Sequence, residues 1–170
     1  PGFFGFRPLP QTLPRRGGVG AGSTGHRWGA ALAAGHVAPH GRDDLIAGAP
    51  GEAIGTRAGA GAATLLFGGP TGLLDAEGAG HSVGVQQNTP CVPGVAETDD
   101  AFGAAVATGD YDHDGRADLA VGSPGENAGS GGVWLLPRSS ACYSSVFTPA
   151  KLGLPAPSSA LAYGRYLGGR

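Results

Sequence analysis

The 170-residue sequence predicts an all-β fold, a partial β-propeller made of about two blades plus the start of a third. Three observations predict it: a 25-residue segment that occurs twice, apolar runs of strand length, and glycine and proline between those runs. The chain has 34 Gly and 14 Pro, a content that without a period indicates low complexity or disorder. Because the glycines recur with the repeat, they are interpreted as turn positions between short strands.

The repeat is visible without any gap in the alignment. Residues 28–52 read WGAALAAGHVAPHGRDDLIAGAPGE, and residues 102–126 read FGAAVATGDYDHDGRADLAVGSPGE. The offset is 74 residues, and 13 of the 25 aligned positions are identical. Beyond a loop that differs by four residues, 61–66 aligns with 131–136. A fixed spacing of this kind is the signature of a repeat architecture.

A third unit is predicted to open at Tyr163-Gly164, with Leu167 in the place of Leu32 and Val106. Both ends of the chain cut into repeat units, and there is no Met, not even at position 1. The sequence is therefore expected to be a piece of a longer protein that supplies the missing blades. The predicted division is a poorly matched segment 1–27, a first unit 28–74, a linker 75–101, a second unit 102–148, and a linker with the truncated third unit 149–170.

Within the second unit four short strands are predicted, at Phe102 to Thr108, Leu119 to Val121, Gly132 to Leu136 and Cys142 to Phe147. Four strands per repeat are typical of a propeller blade, with a β-solenoid or a sandwich as the alternatives. No stretch shows a sustained helical period, and glycine interrupts every candidate helix. The aromatic residues that recur at one repeat position are predicted to lie in the core between strands: Trp28, Phe102 and Tyr163.

Between the first two strands of the second unit lies a predicted metal loop, Asp-Tyr-Asp-His-Asp-Gly-Arg-Ala-Asp at 110–118. Calcium takes six to eight hard oxygen ligands, and alternating Asp residues in a tight turn direct oxygens at one centre. Four carboxylates this close would repel one another without a cation. The predicted ligands of one Ca²⁺ are the carboxylates of Asp110, Asp112, Asp114 and Asp118 and the carbonyl of Arg116.

The acidic loop has three alternative interpretations besides this calcium loop. An EF-hand is excluded because its bidentate Glu at loop position 12 is Val121 here, and because the flanks are strand-like. Magnesium fits less well, since it requires near-octahedral geometry and retains its waters. A solvated acidic turn without an ion is the remaining alternative.

The corresponding loop of the first unit has lost most of its carboxylates. His36, Ala38 and His40 stand where the second unit has Asp, and only Asp44 is retained. Neutral imidazoles are poor calcium ligands, and His36 with His40 lacks a third convincing ligand for zinc or copper. The first loop is therefore predicted to be a degenerate turn.

Composition limits the possible partners and activities. The net charge of −2, with 11 scattered Lys and Arg, gives no basic stripe for nucleic acid. No apolar run approaches the roughly 18–20 residues of a membrane span. No catalytic constellation is found: there is no Gly-x-Ser-x-Gly elbow, and the G-x-G-x-x-G match at 20–25 has no strand–helix context. Cys91 and Cys142 either form one disulfide, which would fit an oxidising compartment, or remain as two thiols.

These motifs resemble the FG-GAP repeat family, whose best-known members form the propeller of integrin α subunits. Trp28-Gly29 and Phe102-Gly103 stand at the FG position, and Gly48-Ala49-Pro50 and Gly122-Ser123-Pro124 stand at the GAP position. The segment 88–97, NTPCVPGVAE, looks like linkers of secreted actinobacterial FG-GAP proteins.

The resemblance implies a propeller in which calcium rigidifies the loop between the first two strands of a blade. It implies a non-enzymatic module for adhesion, or for contact with a protein or carbohydrate, in a secreted or cell-surface protein. The alternative is an accessory propeller of a secreted hydrolase or phospholipase whose active site lies outside this chain. Flanking sequence would distinguish the two.

Overall fold

A computed structural model of the chain describes residues 25–73, 82–137, 141–155 and 161–168. In this part of the chain the regular structure is almost entirely β-strand, in two four-stranded antiparallel sheets. The all-β prediction is confirmed. The predicted segment 1–27 lies mostly outside the described residues, as does the glycine-rich match at 20–25.

Each sheet is a meander in which every strand pairs with the next along the chain. The strands of the first sheet are β1 Ala31–Gly35, β2 Asp44–Ala49, β3 Ala62–Leu66 and β4 Ser82–Val85. Those of the second are β5 Ala105–Gly109, β6 Asp118–Ser123, β7 Gly132–Leu136 and β8 Ser145–Phe147. A tight turn at Glu126–Gly129, in which Asn127 and Ala128 have left-handed backbone angles, and a 3-10 turn, Ala141–Tyr143, lie in the connections. No helix within the described ranges is long and apolar enough to cross a membrane.

The sequence repeat is also a repeat of strand register. Gly35 pairs with Asp44 across β1 and β2, and Gly109 pairs with Asp118 across β5 and β6. Both pairs are related by the 74-residue offset. The loop between the first two strands therefore begins and ends at the same place in each sheet.

Three predicted strand positions differ from the structure. The first strand of the second unit starts at Ala105, because Phe102 forms an isolated parallel bridge with Gly61 of the first sheet instead. The fourth strand of this unit begins at Ser145, because Ala141–Tyr143 form a 3-10 turn instead of extended chain. β4, the fourth strand of the first sheet, lies inside the segment 75–101 that was predicted to be a linker.

The two sheets contact each other through their first strands, β1 and β5. The hydroxyl of Thr108 donates a hydrogen bond to the carbonyl of Ala34 across this boundary, at 2.8 Å. A Cβ at Gly48 would overlap the carbonyl oxygen of Gly103, so the GAP segment of one unit and the FG segment of the next need glycine to approach this closely.

The third unit opens in the equivalent position on the second sheet. Gly131 bridges Tyr163, as Gly61 bridges Phe102. A Cβ at Gly122 would overlap the carbonyl oxygen of Gly164, which repeats the close approach of the preceding boundary. The chain therefore enters the third unit as it enters the second.

The core is centred on Phe102 and Trp134, both fully buried, with their ring centroids 5.5 Å apart and their planes near perpendicular. The prediction that the recurring aromatics lie in the core is confirmed for Phe102 and wrong for Trp28, which is 43% exposed, while Tyr163 is only half-buried. Phe102 lies against the first sheet, whereas no described sheet precedes Trp28.

The segment 86–101 packs on the second sheet rather than extending freely between the two sheets; each sheet with its loops is called a blade below. Cys91 and Cys142 form a disulfide with their Cα atoms 4.6 Å apart. The indole N–H of Trp134 donates to the carbonyl of Pro93 at 2.7 Å. Val92 is also buried. The structure thus settles the open question about the two cysteines in favour of the disulfide.

Candidate metal site

Asp118 anchors the loop that joins β5 to β6. It is the first residue of β6 and is fully buried. Its Oδ2 accepts hydrogen bonds from the backbone N–H groups of Tyr111 at 3.0 Å and Asp112 at 3.3 Å. The buried carboxylate therefore fixes the start of the loop above it.

Asp110 and Asp112 are exposed, and their carboxylates turn inward to the loop backbone. The two oxygens of Asp110 accept from the N–H groups of Asp114 and Gly115, each at 3.0 Å. Asp112 Oδ1 accepts from the Asp114 N–H at 3.2 Å. Gly115 adopts φ +85°, a left-handed conformation that suits glycine and lets the turn close.

One oxygen from each of Asp110, Asp112 and Asp118 lies within 4.8 Å of the others. Two oxygens that share a calcium ion at about 2.4 Å can be at most about 4.8 Å apart, so this spacing fits a single ion. The donors are all carboxylate oxygens, which hard cations prefer. Three negative groups this close are mutually repulsive until a cation neutralises them.

The other two predicted ligands are not part of this group of three. Asp114 Oδ1 accepts from the N–H of Arg116 at 2.9 Å, a local turn contact that orients its carboxylate along the loop. The structure thus brings together three of the four predicted carboxylates. Ligation by Asp114 and by the Arg116 carbonyl stays a prediction.

The first loop has the same anchoring aspartate as the second loop but different side chains around it. Asp44 Oδ2 accepts from the N–H groups of Val37 at 3.1 Å and Ala38 at 2.6 Å. Its Oδ1 accepts from the Gly68 N–H and lies 3.0 Å from His40 Nε2. An imidazole therefore occupies the side of Asp44 where a metal loop would place further carboxylates. No group of three possible ligands forms there among the described residues.

The geometry is that of a carboxylate loop between the first two strands of a four-stranded blade. A family model, FG-GAP repeat, matches residues 102–136. The matched range runs from Phe102 to the end of β7 and contains the whole loop, so it covers most of the second blade. No match was found among curated proteins. The first blade lies outside the FG-GAP match and is related to it through the internal repeat.

A second cluster escaped the sequence analysis. Gln87, Asp100 and Glu126 are all buried where the segment 86–101 meets the second blade. Gln87 Nε2 donates to Glu126 Oε2, and Asp100 Oδ2 accepts from the Glu97 N–H at 2.6 Å. A signal was present, since the 74-residue offset aligns Asp100 with His26 and Glu126 with Glu52. The sequence thus shows that both units keep a glutamate at this position.

Proposed function

We propose that this chain is a calcium-stabilised, integrin α-like propeller module that contacts a protein or carbohydrate partner in a secreted or cell-surface protein. The observation that carries the proposal is the convergence of Asp110, Asp112 and Asp118 oxygens within 4.8 Å in the loop of the FG-GAP-matched blade. An all-oxygen donor set favours calcium, which accepts variable coordination geometry, over magnesium, which demands a stricter octahedron.

In this proposal the ion has a structural role. The carboxylates of the loop accept hydrogen bonds from the loop's own backbone N–H groups, and Asp118 is fully buried. A catalytic metal would keep an open coordination position beside a positioned acid or base. The loop supplies carboxylates and backbone groups, which suits an ion that holds two strands in register.

The contact role is supported by the family match, because FG-GAP repeats often mediate protein interactions. Since one fold hosts many functions, this inference is by analogy with the family. The Cys91–Cys142 disulfide supports the placement outside the reducing cytosol. The disulfide attaches the segment 86–101 to the second blade. This segment carries Val95, an apolar residue that is 65% exposed and so accessible to a partner.

Isothermal titration with CaCl₂ tests the calcium proposal. The wild-type chain should bind with a stoichiometry near one, because only the second loop retains its carboxylates. Asp112→Ala should abolish the binding heat. Asp43→Ala is the matched control, since it removes an exposed carboxylate from the first loop and should leave binding unchanged.

Two results would contradict the proposal. Absence of binding by the folded wild-type chain would leave the second loop as a solvated acidic turn. A stoichiometry near two would show that the first loop, with His36, His40 and Asp44, also holds an ion.

A further inference from the structure

The buried carboxylates Asp100 and Glu126 lie outside the metal loop and have no role in the proposed function. Asp100 is 1% exposed and Glu126 is 8% exposed. Gln87, also 1% exposed, donates from its amide nitrogen to Glu126, and its Oε1 is buried without a hydrogen-bond partner. Asn127 Nδ2 donates to the other oxygen of Glu126 at 3.0 Å. The cluster therefore has more acceptors than donors.

The first blade has His26 and Glu52 at the positions of Asp100 and Glu126. Gly51 N–H donates to the carbonyl of His26 at 3.1 Å, and Gly125 N–H donates to the carbonyl of Asp100 at 2.9 Å. The backbone contact is the same at both boundaries. In the first blade, however, His26 Nδ1 lies 2.7 Å from Glu52 Oε2, a pairing that a proton on the imidazole turns into an ion pair. The second blade keeps the glutamate and replaces its histidine with an aspartate.

The charged groups that act on Asp100 and Glu126 are acidic as well. Glu97 acts on both carboxyls, and Asp99 acts on Asp100. Burial, followed by the charge of Asp100, raises the pKa of the Glu126 carboxyl from its ordinary 4.5 to about 6. Burial also raises the pKa of the Asp100 carboxyl, while the hydrogen bond from the Glu97 N–H acts against this shift. Burial therefore favours the protonated form of both carboxyls.

We propose that the buried cluster of Gln87, Asp100 and Glu126 is a proton-dependent contact that holds the segment 86–101 on the second blade more tightly in mildly acidic than in neutral solution. A proton on Glu126 removes one of two buried negative charges and adds a donor to a cluster that has more acceptors than donors. Gln87 and Asp100 belong to the segment, and Glu126 belongs to the connection between β6 and β7. The same proton therefore strengthens the attachment of the segment that carries Cys91 and Pro93.

The direction of the pH effect follows from linkage. Folding raises the pKa of Glu126, so the folded chain binds more protons than the unfolded chain between about pH 4.5 and 6. The stabilisation is fully present below about pH 4.5 and is lost as the pH rises through about 6. A shift of this size changes the unfolding equilibrium constant on the order of 30-fold between pH values well below 4.5 and well above 6.

Urea unfolding from pH 4.5 to 7.5, at fixed saturating calcium, tests the proposal. Wild type should lose stability across this range. E126Q keeps the shape of the protonated side chain, so at pH 7.5 its unfolding constant should be on the order of 30-fold smaller than that of wild type. D43N changes an exposed carboxylate of the first loop and is the control. It should retain the difference between pH 4.5 and pH 7.5 that Glu126 causes.

A direct titration keeps the test decisive if E126Q folds poorly. The side-chain carboxyl carbon of Glu126, followed by NMR in the wild-type chain, should titrate with a midpoint near 6. A midpoint at or below 4.5 would overturn the proposal. An E126Q variant with the same pH dependence as wild type would overturn it as well.

Discussion

Asp44 and Asp118 make the same pair of backbone contacts in their two blades: each accepts hydrogen bonds from the N–H groups seven and six residues earlier. Asp44 binds Val37 and Ala38, and it also accepts from Gly68. The carboxylate at this position therefore organises the loop backbone whether or not further metal ligands are present. This explains why Asp44 remains in a loop that has lost its other carboxylates.

Asp44→Ala should destabilise the chain although the first loop is predicted to bind no calcium. The substitution leaves the N–H groups of Ala38 and Gly68 without their acceptor, whereas the Val37 N–H keeps the carbonyl of Gly35. At about 1 kcal/mol or more for each unpaired donor, the expected loss is at least about 2 kcal/mol. Urea denaturation measures it, with the exposed neighbour Asp43→Ala as the control. Equal, small effects for both variants would show that Asp44 has no anchoring role.

The order of strands and turns was predictable because the same sequence pattern occurs in both units. β7 was predicted at its observed bounds, since Gly132 and Pro137 delimit an unbroken apolar run. β4 was missed because the first unit's recognisable match ended at Leu66, and the four residues Ser82–Val85 carry only two valines. Tertiary pairing with β3, rather than local preference, makes them a strand.

The candidate site was predictable only in part. Spacing alone indicated the loop, and three of its carboxylates converge in the structure. The buried Asp100–Glu126 cluster was not foreseen, although Glu126 ends the repeated segment 102–126, because a repeat position does not reveal burial. Its chemistry depends on burial and on Gln87, which is distant in sequence from Glu126. The different environments of Trp28 and Phe102 likewise depend on which sheet lies alongside, which a repeat position does not specify.

Phe102→Ala should be among the most destabilising single changes in the chain. The side chain is fully buried between the two sheets and contacts Trp134 edge to face. Truncating a buried phenylalanine costs about 3–5 kcal/mol through lost burial and the cavity left behind. Trp28→Ala, at the equivalent but 43% exposed position, should cost much less. A comparable loss for both variants in urea unfolding would show that Trp28 is also a core residue.

Removal of the disulfide should destabilise the second blade. Cys91 and Cys142 are 51 residues apart in sequence, and the chain-entropy model gives about 4 kcal/mol for a closed loop of that size. Unfolding of the Cys91→Ser/Cys142→Ser double variant measures the loss. Thiol titration of unfolded, unreduced wild type, purified without reductant, should find no free thiol. Two free thiols per chain would contradict the observed bond.

The measurement that tests the calcium account most directly is amide hydrogen exchange with saturating calcium and with a chelator, comparing the two loops in one molecule. Binding to the folded state stabilises it by mass action, about 2.7 kcal/mol at a hundredfold excess over the dissociation constant. Chelation should therefore accelerate exchange in the 110–118 loop. The Val37 and Ala38 amides, held by Asp44, should change far less. Equal protection of the 110–118 loop with and without calcium would contradict a structural calcium site.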